Sequence, residues 1–574
     1  MKRKLKKFRM KSILCALLLV CVGTASLSGC SQNNAPSSSS SVVSEAESKT
    51  SEAESKTSGT ESKTSGTESK ASESESKTSE TESNASETES KTSETESKTS
   101  ETESKASETE QSESPVEASA TSDKKPKAPE SGYTINNVRN YVAGLDKEVD
   151  LSDGTKRQLI NFDNAATTPA LLPVEEAIEN ELEMYGSIGR GFSQKSNHST
   201  EIYNNTREKV LNFLGADPEK YTCFYVNSTT DGLNKLASAL IESEDDVVLA
   251  TRMEHHANDL PWRERCNVVY AEVDDDGRII YDDIERLLKE NKVKYVTVTA
   301  ASNVTGYVTD VHRVAKLAHQ YGAKIIVDGA QIVAHRSFSM IGDTPEENID
   351  FIAFSAHKMY SPYGGGAVVG LTDVLNKHMP EFYGGGTIKI VKDNSVVYKD
   401  APASYEAGSP NYPGVVGLGR AIDILQEIGF DEIQNHEQVL NKKLMDGIKN
   451  LENVVIYGDS ENLDDRVGVI SFNFSDINSY VLAKHLSEKY GVATRRGAFC
   501  ANPYVWRLTG VNNEETLKRF ESCADVNTSG MIRISFGIYN TEEEIDEFLK
   551  IMPEAMAEAR ELQFINHGNI YINY

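Results

Sequence analysis

The chain has 574 residues, a formal net charge of -28 and 38% hydrophobic residues. An acidic excess of that size argues against a nucleic-acid partner, and seven scattered cysteines in so long a chain do not make a disulfide framework. After residue 29, no apolar run is long enough to cross a membrane.

Lys2 to Lys11 is a basic leader, and Ile13 to Val22 is an apolar segment too short to span a bilayer comfortably. Together they read as an export signal over residues 1–29. The small-residue site that follows, Leu27-Ser28-Gly29-Cys30, resembles a bacterial lipobox. The resemblance implies that Cys30 is lipidated and becomes the new N-terminus, which ties a protein to a membrane surface without crossing it. The rest of the chain is then expected at the extracytoplasmic face of the cell membrane, as a bacterial lipoprotein. Residues 30–132 read as a tether. From Ser44 to Ala106 the chain runs in seven-residue units such as S-E-A-E-S-K-T and S-E-T-E-S-K-T, which carry no apolar a/d pair and so cannot form a coiled-coil seam. Such a segment is net acidic, self-repelling and disordered. Roughly 95 residues of flexible coil reach on the order of 55 Å root mean square.

The remaining ~445 residues suit one large and one smaller domain. Apolar runs alternate with helical spacing, the pattern of an α/β fold with a mainly parallel sheet. Asn161 to Pro169 opens the region with N-F-D-N-A-A-T-T-P. The run Cys223 to Val226 precedes Ser228-Thr229-Thr230-Asp231-Gly232, and apolar residues at 233, 236, 237, 240 and 241 then mark one face of a helix. A strand, a hydroxyl-rich turn and a helix N-terminus suit a phosphate, although the same residues begin any helix. Val247 to Thr251 leads into Glu254-His255-His256-Ala257-Asn258, where adjacent histidine side chains diverge and no third ligand lies nearby, so no metal is expected. Tyr295 to Thr299 ends in Ser302-Asn303-Val304-Thr305-Gly306. The runs ending in Val327-Asp328-Gly329-Ala330-Gln331 and Ser355-Ala356-His357-Lys358 read as buried parallel strands. Asp328 and Lys358 then emerge at one edge of the sheet, where α/β folds bind ligands. A lysine there can bond an aldehyde, and an aspartate can hold a pyridinium proton.

The pair V-D-G-A-Q and S-A-H-K resembles the pyridoxal-phosphate site of the class V aminotransferase family, most closely its cysteine desulfurase and selenocysteine lyase branch, and the likeness covers Tyr133 to Leu562. It implies the type I PLP-dependent transferase fold, α/β in class. A large domain with a mostly parallel seven-stranded sheet is expected over residues 133–400, with segment 133–160 joining a smaller C-terminal α/β domain over 401–574. It implies pyridoxal 5'-phosphate held by Lys358, which also serves as general base, with Asp328 on the pyridine nitrogen and Gln331 on the phenolic oxygen. Thr229, Thr230, Ser355 and His357 would meet the phosphate, His255 would stack on the ring and move protons, and Asn303 would reach cofactor hydroxyl and substrate. Thr387, after Gly384-Gly385-Gly386, would reach a neighbouring subunit's phosphate and so imply a homodimer. Arg533 would grip the substrate carboxylate and Arg495 would add positive charge. Cys500, as a thiolate, would take sulfur from bound cysteine as a persulfide.

Two positions depart from the family's pattern, since Phe499 and Gly189 stand where histidine is usual. Both changes remove polar groups near the substrate. The expected activity is conversion of L-cysteine to L-alanine plus sulfur, or the selenium equivalent. Transamination, epimerisation or lyase cleavage of another amino acid stays open, as do a surface binding protein without turnover and a buried structural role for Cys500. Cys223 and Cys266 are expected in the core.

Overall fold

The computed structural model describes residues 126–511, 514, 518 and 530–565. The expected export signal, the lipidation site Cys30, the tether up to residue 125 and Cys523 lie outside them. No helix among the described residues is long and apolar enough to cross a membrane.

The central sheet has seven strands: β1 (Tyr221–Tyr225), β2 (Val247–Thr251), β3 (Asn267–Ala271), β4 (Val293–Thr299), β5 (Lys324–Asp328), β6 (Phe351–Ser355) and β7 (Gly366–Leu371). Their spatial order is β1-β7-β6-β5-β4-β2-β3. The five from β6 to β3 pair in parallel, and β7 runs antiparallel between β6 and β1. The sheet is therefore mixed and mostly parallel, as the sequence predicts. Phe351, Ile352, Ala353 and Phe354 are all fully buried, the mark of a strand covered on both faces. The reversed strand fits because it is small: a Cβ on Gly370 would stand 2.3 Å from the Phe351 ring. Register sets Thr299 beside Asp328 and Asp328 beside Ala353, so β4, β5 and β6 deliver their carboxyl ends to one edge.

A second, antiparallel sheet holds β8 (Val454–Tyr457), β9 (Val469–Phe474), β10 (Arg495–Gly497) and β11 (Met531–Ser535) in the order β8-β9-β11-β10. Its core joins Phe472, Ile532 and Ile534 to Leu440, Leu482 and Phe548 from three helices. Ile160–Asn161 pairs in parallel with Val492–Ala493, which ties that end of the N-terminal segment to this layer. The start of the same segment goes elsewhere, since Tyr133, Val138 and Tyr141 pack in the larger core with Leu171, Val174 and Tyr412. The helix Tyr412–Ile428 also differs from a division at residue 400, because it packs against Leu172–Glu183 and Gln194–Phe213 and buries Val415, Leu418 and Ile422 in that larger core. An apolar face of that width is buried by the nearest apolar layer, whatever the chain order.

A part-buried ion pair fixes the end of β1. Arg207 Nη1 and Nη2 donate to the two carboxylate oxygens of Glu406 at 3.0 and 3.1 Å, and Tyr225 N–H donates to Glu406 Oε1 at 2.8 Å. Glu406→Ala leaves a largely covered guanidinium without its counter-charge. The expected loss is about 1–3 kcal/mol, read as a lowered urea midpoint at unchanged slope.

Candidate active site

The carboxyl edge of the large sheet opens on a cavity of about 220 Å³. The turns after β1, β2, β4, β5 and β6 form one side of it, and β10 and β11 of the small sheet bring Arg495, Phe499, Cys500 and Arg533 to the other. Of the residues singled out in the sequence, Thr229, Thr230, His255, Asn303, Asp328, Gln331, Ser355, His357, Lys358, Arg495, Cys500 and Arg533 all line this one space. Thr387 does not line it. Its side chain is turned inward, with Oγ1 donating to Gly384 O at 2.7 Å.

Lys358 ends a single helical turn, Ala356–Lys358, that follows β6 directly. Burial pushes its ammonium down to about 8, against the pull of the Asp328 carboxylate and with the help of Arg533. A neutral amine is thereby accessible near neutral pH, which an ordinary lysine does not offer. Asp328 closes β5 and is 2% exposed. Ala330 N–H donates to its Oδ1 at 2.9 Å, and burial still raises its pKa. A buried carboxylate with so few donors is short of a cation. Gln331 Nε2 donates to Ala165 O at 3.0 Å, while its buried Oε1 has no partner. These observations fit pyridoxal phosphate: a ring N–H for Asp328, a ring hydroxyl for the orphaned oxygen, and an aldehyde for the amine.

The opposite end of the cavity is suited to the phosphate. Ser228 caps the helix Thr229–Leu240, and Ser355 Oγ meets both Thr229 N–H and Thr229 Oγ1 at 2.7 Å. Thr230 and His357 complete this end beside the positive helix terminus. Burial, then Lys358, holds His357 near 4, so its ring is neutral.

His255 is also neutral, pushed to about 3 chiefly by burial and then by Lys358. Its Nδ1 accepts Ala257 N–H at 3.0 Å, a bond that assigns the ring proton to Nε2. The ring can therefore donate at Nε2 but is not poised there as a base. Sequence reasoning passed over its neighbour Glu254. That carboxyl is 2% exposed and pushed up to about 8 by burial, with Asp328 and Asp259 adding. Thr251 Oγ1 and Asn258 Nδ2 each donate to it at 2.6 Å. Burial thus disfavours the charged form of Glu254, as it does that of Asp328. A glutamate inside E-H-H-A-N was the available signal.

On the small-sheet side, Arg495 and Arg533 face each other directly across β10 and β11. Asp163 lies between them, 3.0 Å from Arg533 Nη2 and 3.6 Å from Arg495 Nη1. Arg533 Nη1 donates to Asn303 O at 2.8 Å, its guanidinium lies 4.8 Å from the Phe499 ring centre, and its Nε is buried without a partner. Burial lowers Arg533 to about 10, which leaves it a cation at neutral pH. Two guanidinium groups sharing one carboxylate, with a donor to spare, can take a second carboxylate. Asn303 lines the cavity, and its Nδ2 donates to Phe499 O at 2.7 Å.

Cys500 is exposed and faces the cavity, so it is not the buried structural thiol that the sequence left open. Phe499 and Cys500 sit at φ values of 52° and 56°, left-handed backbone that costs a non-glycine residue about 1–3 kcal/mol. Cys223 is fully buried and Cys266 half-buried, with thiols pushed up to about 12 and about 11 by burial. Both are packing residues. Gly189, where the family's pattern has histidine, has φ of 64° and lies outside the cavity lining.

Residues 160–548 match the family model described as aminotransferase class-V. Among curated proteins, a probable cysteine desulfurase of Halalkalibacterium halodurans is 33% identical over 422 residues, covering 72% of this chain and 96% of that protein. A cysteine desulfurase of Haloferax volcanii is 34% identical over 419 residues, 71% of this chain and 91% of that protein. Among solved structures, the apo cysteine desulfurase of Thermococcus onnurineus superposes with a TM-score of 0.62 at 30% identity, over 70% of this chain and 95% of that one.

Proposed function

Since the chain belongs to the class V aminotransferase family and is a pyridoxal-phosphate-dependent enzyme, we propose that it acts as a cysteine desulfurase, held by a lipid at Cys30 on the extracytoplasmic face of a membrane. The observation that carries this reading is the meeting of Lys358, Arg533 and an exposed Cys500 in one cavity. The names of the relatives support it.

The cofactor, when bound, supplies the electron sink for bond changes at the substrate's carbon atoms. Lys358 would hold the cofactor through its aldehyde and, as the free amine, would take and return the proton at the substrate's α-carbon. Asp328 would hold the proton on the ring nitrogen. Glu254, its charged form disfavoured by burial, would add little competing charge. Arg533 pairs with the α-carboxylate through its free edge, and Phe499 shields that ion pair from water. Cys500, as the thiolate, attacks the substrate sulfur. The carbon–sulfur bond breaks, its electron pair returns to the carbon skeleton, and protonation there leaves alanine and a persulfide on Cys500. A reductant then releases sulfide.

The same reading includes a homodimer. Phe382 and Tyr383 are 55% and 60% exposed beside the Gly384–Gly386 loop, and the hairpin of Ile388–Lys392 and Ser395–Tyr398 leaves Ile390, Val391, Val396 and Val397 in solvent. Apolar surface of that extent is ordinarily covered by another chain.

Supplied with L-cysteine and a reductant, the purified full chain is expected to give alanine and sulfide in equal amounts. In cells the protein is expected in the detergent phase, and Cys30→Ala should move it to the aqueous phase with its activity retained. Turnover of other amino acids with none of cysteine would refute the chemistry, and an aqueous wild-type protein would refute the anchor.

A further inference from the structure

Resting on the reading of Cys500 as the sulfur acceptor, we propose that His256 is the positioning residue that clamps the Cys500 turn. Its backbone N–H donates to Cys500 O at 2.7 Å, and its ring Nε2 accepts Asn502 N–H at 3.3 Å. One residue thus grips the chain at the nucleophile and again two residues further on. It belongs to the pair of adjacent histidines that the sequence reading set aside as unsuited to a metal, and its neighbour His255 turns to the cavity instead.

The turn needs such a grip. Phe499 and Cys500 both occupy left-handed backbone, and residues held there persist only where the surroundings over-determine them. The start of the turn is held by Asn303 Nδ2 on Phe499 O and by Ala501 N–H on Ala498 O at 2.8 Å. Neither bond reaches the Cys500 carbonyl or the Asn502 amide, and His256 supplies both. The ring has to be neutral to accept from an N–H. Burial lowers its pKa and Arg263 acts in the same direction, while Asp259 opposes them. Clamped in this way, the Cys500 side chain stays at the cavity wall instead of sampling solvent. Attack on a bound sulfur requires approach along the bond being broken, and an error of about 1 Å can cost on the order of a hundredfold in rate.

The test uses the full-length holoenzyme with His256→Gln and His256→Asn. A glutamine oxygen stands about as far from the backbone as the ring Nε2, whereas the shorter asparagine oxygen falls short of Asn502. Two quantities are measured: amide hydrogen exchange in a peptide spanning 500–505, and steady-state sulfide release from L-cysteine. His256→Gln should behave as wild type in both. His256→Asn should exchange about tenfold faster and lose on the order of tenfold to a hundredfold in kcat. Its yellow colour and its KM for cysteine should not change, because Lys358, Asp328 and Arg533 are untouched. Wild-type exchange in His256→Asn would overturn the proposal. So would faster exchange at unchanged kcat, or a His256→Gln protein as impaired as His256→Asn. Cys500→Ala runs alongside: if it still releases sulfide, the parent reading of Cys500 has failed, and the clamp falls with it by a route that the exchange data alone would not mimic.

Discussion

Lys358→Ala protein is expected to be colourless. The purified wild-type chain should be yellow, and borohydride should make its bond to the cofactor permanent, with the label found on the peptide that carries Lys358. The lysine amine is the group at the end of β6 that can bond an aldehyde, and alanine leaves no replacement there. Turnover should fall by at least ~10²–10⁴-fold, the range for loss of a positioned general base, before the weaker hold on the cofactor is counted. The amine also leaves a pH signature. Its ammonium form dominates below about 8 and its neutral form above. Cofactor capture by protein stripped of its cofactor should therefore climb about tenfold per pH unit up to that point and flatten beyond it, whereas an ordinary lysine would keep climbing to about 10.4. An alanine variant that still formed the reducible bond would show that another amine holds the cofactor.

Cys500→Ala is expected to separate binding from sulfur removal. Amine exchange at Lys358 and carboxylate capture by Arg533 do not involve the thiol, so L-cysteine should still perturb the visible spectrum of the variant. Sulfide release should drop to background, and the persulfide that cyanide or alkylation detects on wild type should vanish. Cys223 and Cys266 cannot substitute, since neither lines the cavity and burial raises the pKa of both thiols. Full activity on cysteine in Cys500→Ala would put a cysteine-independent lyase, epimerase or transaminase in place of the desulfurase.

Asp328 and Lys358 could be read from the sequence because a buried parallel strand is a short apolar run, and the polar residues that follow it mark the edge where ligands bind. Ser228 to Gly232 was legible for a similar local reason, a cap followed by helical periodicity. What stayed hidden depends on partners distant in the chain. His256 and Asn502 are 246 residues apart, and Asn303 and Phe499 are 196 apart. No spacing rule announces the bond from the Asn303 amide to the Phe499 carbonyl. The left-handed pair at Phe499 and Cys500 was equally silent, because neither residue type favours that conformation and only tertiary bonds impose it. Glu254 was legible as a residue but not as one whose pKa is raised, since that depends on burial and on carboxylates brought near it by the fold. The position of Tyr412–Ile428 was missed because an amphipathic helix declares which face it buries but not which layer will cover it.

Arg533 stands between Ile532 and Ile534, which are packed in the core of the small sheet, whereas Asp328 and Lys358 grow from strands rooted in the large one. The group that recognises the amino acid and the groups that hold the cofactor are thus anchored in separately packed foundations. Substitutions under β10 and β11 can shift Arg495 and Arg533 together, while Cys500 stays tied to the turns of the large sheet through His256 and Asn303 and the strands beneath Lys358 keep their register. Such an arrangement lets a lineage, or an engineer, exchange one amino-acid substrate for another by repacking a single core, with the cofactor half inherited unchanged.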